Sequence, residues 1–262
     1  MICAGVDVGS ITAKAAIFDD ESQRVLGTAL QLTGWSPREA GHAALHDALD
    51  LARLSANQIA MVVGTGYGRV SLPFVDETIT EITCHARGAH YILPSVRTVI
   101  DIGGQDSKAI SVDDGGHPRD FAMNDRCAAG TGRFLQVMAA ALGVEVGELG
   151  VLSRKSRCPA QLSSVCTVFA ESEVVGLIAA GATREDIAGG LCQSVAKRVA
   201  GMVTQVGVHP EVLLTGGVAL NEGVVAGLEE ALGVRLHHTE HPQLVGAVGA
   251  AIVACEKAAH RG

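Results

Sequence analysis

The chain has 262 residues, of which 48% are hydrophobic, and a net charge of -8 at pH 7. This length is sufficient for two domains with buried cores. The acidic balance, without any run of lysine or arginine, excludes a nucleic-acid or anionic-membrane surface, because both require concentrated positive charge. No apolar stretch reaches the roughly 18 residues that span a bilayer, and the first residues lack a basic leader, so we expect a cytoplasmic protein without membrane association.

Two glycine-rich segments predict hairpins of the type strand, loop, strand. They are VDVGSITAK at 6–14 and IDIGGQDSK at 100–108, and both place Asp, Gly and a final Lys at the same positions. An apolar run follows each loop, whereas a Walker loop or a dinucleotide fingerprint is followed by a helix. The repeat therefore predicts a duplicated α/β unit.

Hydrophobic periodicity predicts the elements between and after these hairpins. Strands are expected at 59–63 and 211–214, the first of them closed by a turn at 64–68. The predicted helices alternate with strands along the whole chain and span 36–54, 80–93, 130–142, 167–180, 183–206, 223–232 and 246–257. This alternation is typical of an α/β protein.

Asp7 and Asp101 occupy equivalent places in the two hairpins. Two carboxylates suit a hydrated Mg²⁺ ion, which keeps several waters and also binds phosphate oxygens, while glycine-rich turns offer N–H groups to phosphates. The alternative is that each Asp caps its own turn, which is the usual role of an isolated Asp-x-Gly. The repetition favours the metal-phosphate interpretation.

A third glycine turn, TGGVALN at 215–221, follows a predicted strand and precedes a helix, so its backbone can approach a nucleoside. In this order, the two phosphate loops and the nucleoside loop resemble the ATPase superfamily of actin, sugar kinases and heat-shock chaperones. The resemblance implies a duplicated actin/sugar-kinase-like ATPase fold, with two domains around a nucleotide cleft. We expect one subdomain over 1–97 plus about 244–262, and a second over 98–243.

Two cysteines, Cys127 in NDRCAAGTG and Cys166 in SSVCTVFAESE, each stand where a helix is expected to begin. They suggest half of a four-thiolate iron–sulfur site, which two copies of the chain could complete around a twofold axis. Glu171 and Glu173, early in the helix after Cys166, suit the positive end of its dipole.

A free cysteine is more often a small packing residue than a ligand. We expect this packing role for Cys3, Cys192 and Cys255, which lie on apolar strand or helix patterns. Cys84 fits packing equally well, and Cys158 is a spare thiol in a predicted loop.

Six segments narrow the resemblance to the activator component of 2-hydroxyacyl-CoA dehydratases and the similar ATPase subunits of benzoyl-CoA reductase. The likeness extends from about residue 3 to about residue 256, and the two cysteine motifs are the most specific part of it. The segments are GTGYGR (64–69), EITCHARGA (81–89), DIGGQDSK (101–108), MNDRCAAGTGRFL (123–135), SSVCTVFAESE (163–173) and TGGVALN (215–221).

This resemblance implies an oxygen-sensitive homodimer with one [4Fe-4S] cluster held by Cys127 and Cys166 of each chain. It implies ATP-driven transfer of one electron from a ferredoxin or flavodoxin to a separate dehydratase. It also places the ATP/ADP contacts on Ser10, Ile11, Thr12, Ala13, Lys14, Gly104, Gln105, Asp106, Gly217, Val218 and Gln243.

For hydrolysis, we expect Mg²⁺ to be held by Asp7 and Asp101, directly or through water, and either Gln105 or Asp106 to orient the attacking water. Lys14 and Lys108 are plausible partners for phosphate, although a Lys that closes a hairpin is often only solvated. The alternatives within the class are a benzoyl-CoA reductase subunit and a double-cubane-cluster reductase. Those outside it are a small-molecule kinase and a non-catalytic nucleotide-gated regulator.

Overall fold

The computed structural model describes residues 1–163 and 166–261. The chain divides into two compact units. Unit 1 consists of Met1–Val99, Val112–Arg119 and Thr239–Gly262, and unit 2 consists of Ile100–Ser111 and Asp120–His238. Within the described residues, no helix is both long and apolar enough to cross a membrane.

The strands and helices alternate along the chain. The strands are β1 (Ile2–Val8), β2 (Thr12–Asp19), β3 (Arg24–Leu32), β4 (Val62–Thr65), β5 (Glu77–Thr78), β6 (Thr98–Ile102), β7 (Ser107–Val112), β8 (Pro118–Asn124), β9 (Val212–Thr215) and β10 (Leu236–His237). The helices are α1 (Pro37–Ala52), α2 (Glu81–Ile92), α3 (Gly132–Leu142), α4 (Glu148–Arg154), α5 (Thr167–Ala179), α6 (Arg184–Val206), α7 (Glu222–Leu232) and α8 (Val245–Ala259).

The two sheets have the same topology. One has the order β3-β2-β1-β4-β5, and the other, read from its opposite edge, has the order β8-β7-β6-β9-β10. In the first sheet β1 and β2 are antiparallel, with Asp7 directly opposite Lys14, and β4 lies parallel to β1 on the other side. The hairpin predicted for 6–14 is therefore confirmed, and the second hairpin, β6–β7, occupies the same place in its own sheet.

The sheet of unit 1 is covered on both faces. Val6 and Val8 of β1 pack with α1, and Cys3, on the opposite face, packs with α8. Gly5 lets α8 approach closely, since a Cβ there would lie 2.2 Å from the carbonyl oxygen of Ala247. The core of unit 2 is formed mainly by α3, α6 and the strands β6 and β9.

Most helices begin where the sequence predicts, because capping side chains are present. Ser36 accepts from the N–H of Glu39 before α1, and Thr80 and Asn221 cap α2 and α7 in the same way.

The strand predicted at 59–63 is shifted. Ile59 follows a short 3₁₀ turn, and β4 instead contains Gly64 and Thr65, which pair with Val6 and Asp7 of β1. The small residues at 64–65 suggested a turn, but their pairing with β1 holds them extended. The strands β3 and β8 and the short helix α4 were not predicted.

Candidate functional site

The hairpin of unit 1 contains a buried ion pair. Lys14 Nζ lies 3.1 Å from Asp7 Oδ2, and the two side chains are 11% and 7% exposed. Lys14 Nζ also donates to the carbonyl oxygen of Thr12, and the N–H of Gly9 donates to the same oxygen and closes the loop. Lys14 is therefore not a solvated residue at the end of a hairpin, because its charge is used to pair a buried carboxylate.

The hairpin of unit 2 repeats this arrangement and adds a second carboxylate. Lys108 Nζ lies 3.2 Å from Asp101 Oδ2 and 2.9 Å from Asp106 Oδ2, and the Lys108 side chain is only 2% exposed. The N–H of Gly103 donates to the carbonyl oxygen of Asp106, as that of Gly9 does to the oxygen of Thr12. One buried cation thus holds both acidic residues of the second loop. The interpretation of Lys108 as merely solvated is wrong.

A Thr-Gly turn contacts the hairpin aspartate in each unit. Thr65 ends β4 and Thr215 ends β9, and the glycines that follow have φ of +83° and +85°. A Cβ on Gly66 would lie 2.3 Å from Asp7 Oδ1, and one on Gly216 would lie 2.9 Å from Asp101 Oδ1. Only glycine fits this backbone at such a distance.

In unit 2 the Thr-Gly turn also bonds to the aspartate, since Thr215 Oγ1 donates to Asp101 Oδ1 at 2.8 Å. The segment 64–68, predicted as a simple turn, is the counterpart in unit 1 of the nucleoside loop at 215–221. The available signal was Thr-Gly directly after a short apolar strand in both halves.

Unit 2 brings the second phosphate loop and the nucleoside loop together at the start of α3. The N–H groups of Gly132 and Arg133 donate to the carbonyl oxygens of Gly103 and Gly104, at 2.9 and 2.8 Å. A Cβ on Gly132 would lie 3.5 Å from Val218 Cγ2. Gly104, Gln105, Asp106, Gly217 and Val218 therefore belong to one neighbourhood, in which Gln105 is exposed and Asp106 is half-buried.

Unit 1 contains the remaining predicted nucleotide contacts. Residues 10–14 form the loop and the first half of β2, with 10–12 half-buried, and Gln243 is half-buried in the turn before α8. The start of α8 borders the hairpin, since a Cβ on Gly246 would lie 3.0 Å from Asp7 Oδ2 and 2.9 Å from His85 Nε2. His85 lies within the EITCHARGA segment but was not among the predicted site residues.

Cys127 does not begin a helix, contrary to expectation. It lies in a turn five residues before Gly132, and the N-cap of α3 is Thr131. Asn124 Nδ2 donates to the carbonyl oxygens of Cys127 and Ala129, at 2.8 and 3.1 Å, and this holds the turn. Cys127 is therefore not a capping residue of α3.

Cys166 is the N-cap of α5, as predicted, and its carbonyl oxygen accepts from the N–H of Ala170 at 2.9 Å. Cys166 is exposed, whereas Cys127 is half-buried. Ser164 and Val165 of the SSVC motif, which directly precede Cys166, lie outside the described residues.

The other cysteines separate into packing residues and one accessible thiol. Cys3, Cys192 and Cys255 are buried, which confirms the expected packing role, and Cys84 is buried as well. Burial raises the pKa of Cys84 to about 12 and that of Cys192 to about 11. Cys158 is exposed. Accessible thiols are thus found in unit 2, at Cys127, Cys158 and Cys166.

The turn that contains Cys127 is bonded to the second phosphate loop. Ser107 Oγ, in the strand after that loop, donates to the carbonyl oxygen of Gly130 at 2.5 Å, and Gly132 donates to Gly103 as described above. Residues 130–133 are therefore attached to the hairpin at three points, only a few residues from Cys127.

Two proteins that are similar to this chain in sequence or structure are activators of 2-hydroxyacyl-CoA dehydratases. The (R)-2-hydroxyglutaryl-CoA dehydratase activating ATPase of Acidaminococcus fermentans is 46% identical over 257 residues, covering 97% of both chains. The activator of the 2-hydroxyisocaproyl-CoA dehydratase from Clostridium difficile, solved with bound ADPNP, superposes with a TM-score of 0.92 at 41% identity, over 100% of this chain and 97% of that one.

The fold class is also confirmed by a more distant structure. A ROK family glucokinase from Streptomyces griseus has a TM-score of 0.60 at 15% identity, over 98% of this chain and 100% of that one, and so shares the sugar-kinase-like fold alone. The model of the BadF/BadG/BcrA/BcrD ATPase family matches residues 4–254. This match covers nearly the whole chain and confirms the resemblance inferred from the motifs, so the chain belongs to the BadF/BadG/BcrA/BcrD ATPase family.

Proposed function

We propose that the protein activates a 2-hydroxyacyl-CoA dehydratase, using ATP hydrolysis to deliver to it one electron taken from a ferredoxin or flavodoxin. The observation that carries this proposal is the attachment of the Cys127 turn to the second phosphate loop through Ser107, Gly130 and Gly132. An ATPase without a redox role has no need to join the segment of a half-buried cysteine to its phosphate loop.

Each hairpin loop is a phosphate loop in this proposal. Residues 10–14 and 104–106 offer backbone N–H groups to phosphate oxygens, and Asp7 and Asp101 hold Mg²⁺, directly or through water. The carboxylates suit this role because they are paired with Lys14 and Lys108, which keeps two buried negative charges stable before nucleotide arrives.

Of the two residues expected to orient the attacking water, Asp106 has the firmer support. Lys108 Nζ holds Asp106 Oδ2 at 2.9 Å, which orients this carboxylate, and Asp106 Oδ1 lies close to Gly103, where a Cβ would be 2.5 Å from it. Gln105 is exposed at the tip of the same loop. A charged acceptor with a fixed direction can align a water molecule against a phosphate.

The nucleoside is assigned to the Thr215–Asn221 turn. Gly217 is exposed, whereas Val218 is buried beside the start of α3, so the backbone at Gly217 is available to a flat base. The family resemblance also implies a nucleotide contact at Gln243, which is half-buried in the turn before α8.

Cys127 and Cys166 of two chains would hold one [4Fe-4S] cluster, which supplies one-electron transfer at low potential when bound. The donor set fits, because both residues are accessible, unlike the buried cysteines, and Cys166 caps α5, whose free N–H groups favour negative charge. Within the described part of one chain, no three Cys, His, Asp or Glu side chains come together as a metal site. Two thiolates per chain agree in number with a site shared by two copies.

The surface of α5 supports a homodimer. Val168, Phe169 and Val175 on this helix are exposed, and only Ala170 and Val174 are buried. Apolar side chains gathered next to Cys166 are unusual for a free surface and suit an interface that a second copy covers.

Hydrogen bonds within the chain connect the second phosphate loop, where ATP is hydrolysed in this proposal, to the segment that follows Cys127. Nucleotide can shift a conformational equilibrium only through its different affinity for the two states. A displacement of the second phosphate loop on hydrolysis is passed to residues 130–133 by their three hydrogen bonds, and from there to Cys127.

The test is the content of iron and acid-labile sulfide in protein purified without oxygen and sized in solution. We expect about two irons per chain in a dimer. Cys127→Ser and Cys166→Ser should each lose the cluster but keep ADP binding, whereas Cys158→Ser, an exposed thiol in the same unit, should retain it. Protein without iron from an anaerobic preparation, or ATP-dependent phosphorylation of a small molecule, would overturn the proposal.

A further inference from the structure

The segment between α4 and α5, which leads to Cys166, is anchored at one end by a single carboxylate. Asp186, in the first turn of α6, accepts three hydrogen bonds at Oδ1. The donors are Ser156 Oγ at 2.8 Å, the N–H of Arg157 at 3.0 Å and the N–H of Cys158 at 2.9 Å. Residues 156–158 of the segment are therefore fixed to α6.

The backbone of the segment continues along α6. The N–H of Ala160 donates to the carbonyl oxygen of Asp186 at 2.8 Å. A Cβ on Gly190 would lie 2.0 Å from the carbonyl oxygen of Ala160, so the segment rests directly on the helix backbone. Asp186 is thus bonded to the segment through both its side chain and its main chain.

The other end of the segment is anchored to α5. Glu173 Oε1 accepts from the N–H of Ser163 at 2.8 Å and from Ser163 Oγ at 2.9 Å. Glu173 lies two turns into the helix that Cys166 caps. The sequence suggested that this glutamate suits the helix dipole or helps to tune the cluster, and the structure gives it a specific contact.

Hydrogen bonds to ionised carboxylates are stronger than those between neutral groups. At Asp186 these bonds, led by those from the Cys158 N–H and the Ser156 hydroxyl, lower the pKa of the carboxyl to about 2. The anchor is therefore fully charged at neutral pH. The segment is held at 156–160 and at 163, and only two residues separate the second anchor from Cys166.

We propose that Asp186 and Glu173 are positioning residues for Cys166: they tie residues 156–163 to α6 and to the helix that Cys166 caps, so that its thiolate is directed for ligation before the metal binds. This inference rests on the proposed function, in which Cys166 ligates an iron–sulfur cluster. Residues that orient metal ligands typically change metal affinity by about 10-fold to 100-fold when they are removed.

The experiment measures how fast the cluster is lost from the anaerobically purified full chain when an iron chelator is added. In Asp186→Ala and Glu173→Ala, the loss of cluster absorbance should be about 10-fold to 100-fold faster than in the unmodified protein. Asp186→Asn and Glu173→Gln keep an oxygen acceptor, so they should lose the cluster at nearly the rate of the unmodified protein. The electron paramagnetic resonance spectrum of the reduced cluster should change in the alanine variants and return in the conservative ones.

A matched control is available in unit 1. Asp113 Oδ1 accepts from the N–H groups of Gly115 and His117, at 2.9 and 2.8 Å, and so anchors a loop in the same manner as Asp186. Asp113→Ala should release the cluster at the rate of the unmodified protein. ADP binding by each metal-free variant, measured calorimetrically, verifies that it is folded.

The outcomes distinguish the two proposals. An unmodified protein without a cluster contradicts the proposed function itself. If the unmodified protein holds a cluster, and Asp186→Ala and Glu173→Ala release it no faster than Asp113→Ala, the positioning inference alone is overturned. Should Asp186→Ala fail to bind ADP, Glu173→Ala decides, because it removes the second anchor without altering α6.

Discussion

The two units share a scaffold but differ in the groups placed on it. Both have the same strand order, a buried lysine paired with the hairpin aspartate, and a Thr-Gly turn against that aspartate. At the position where unit 1 has Thr12, unit 2 has Asp106, and Lys108 pairs with it. Duplication has thus kept the buried pair that supports each loop, while the second acidic group arises in one unit only.

The cysteines show the same division. Those of unit 1, at Cys3, Cys84 and Cys255, are buried, whereas three of those in unit 2 are accessible. The comparison teaches that the common features of the two units stabilise the loops, and that the reactive groups are found where the units differ.

The largest effect is expected from removing the buried lysines. Lys108→Met leaves two carboxylates without this cation and should reduce the free energy of unfolding by about 5 kcal/mol, the upper end of the range for broken buried pairs. Lys14→Met concerns one carboxylate and a slightly more exposed pair, so about 3 kcal/mol is expected. Urea denaturation measures both.

Lys257→Met is the surface control for the lysine variants. Its amine pairs with Glu77, and both side chains are about one-third exposed, so the loss should stay below about 1 kcal/mol. Equal losses of unfolding free energy in Lys108→Met and Lys14→Met would contradict the expectation that the unit 2 lysine contributes more because it pairs with two carboxylates.

Alanine at the Thr-Gly turns should be nearly as costly, and equally so in the two units. Gly216→Ala and Gly66→Ala each place a Cβ within 3 Å of backbone and aspartate atoms at a positive φ. About 2 kcal/mol of backbone strain and about 2 kcal/mol of overpacking give an expected loss of about 4 kcal/mol in urea denaturation.

Gly201→Ala provides the control for the glycine variants. Gly201 lies within α6, and an added Cβ there meets no atom within 4 Å, so alanine should stabilise the helix by up to about 1 kcal/mol. A destabilisation confined to one of the two turns would show that they are not equivalent.

Alkylation should separate the thiols of the two units. In metal-free protein at pH 8, Cys127, Cys158 and Cys166 should react with iodoacetamide at least about 100-fold faster than Cys84 and Cys192, because burial raises the pKa of the latter two to about 12 and about 11. Peptide mass spectrometry reports each site. In cluster-loaded protein, of the three accessible thiols only Cys158 should remain reactive, and rapid labelling of Cys166 there would contradict its role as a ligand.

The smallest effect concerns acid. The pKa of Asp186 is about 2 in the folded chain, below its ordinary value of 3.8, mainly because the Cys158 N–H and Ser156 hydroxyl bond to the charged form. A lowered pKa contributes stability above pH 4, and this contribution is lost as the pH falls from about 4 to about 2. The melting temperature should therefore fall less steeply in this window for Asp186→Asn than for the unmodified protein, and parallel curves would exclude the contribution.

Local patterns predicted the parts of the site that depend on nearby residues. The hairpins followed from the repeated Asp-x-Gly, and the position of Cys166 followed from the helix pattern after it. Cys127 was placed wrongly because its turn depends on the Asn124 side chain, on the hydrogen bond that Gly130 accepts from Ser107 and on the one that Gly132 donates to Gly103. Such tertiary bonds leave no periodic signal in the sequence.

The burial of the two lysines could not be predicted either. A lysine at the end of a hairpin looks the same in sequence whether it meets water or a carboxylate, and only the cross-strand register of Asp7 with Lys14 decides. The edge strands β3 and β8 were missed for a related reason, since all their residues are exposed or half-buried and they mix polar with apolar side chains.

The position of α8 has a consequence for biosynthesis. This helix, at 245–259, belongs to unit 1. It packs closely against the backbone of α2, since a Cβ on Gly88 would lie 2.1 Å from the carbonyl oxygen of Val245. On the ribosome, the sheet of unit 1 is made first, but one of its faces stays uncovered until α8 emerges. All of unit 2 has left the ribosome by then, so the part of the chain that is translated second can finish folding first, against the usual N-terminal order.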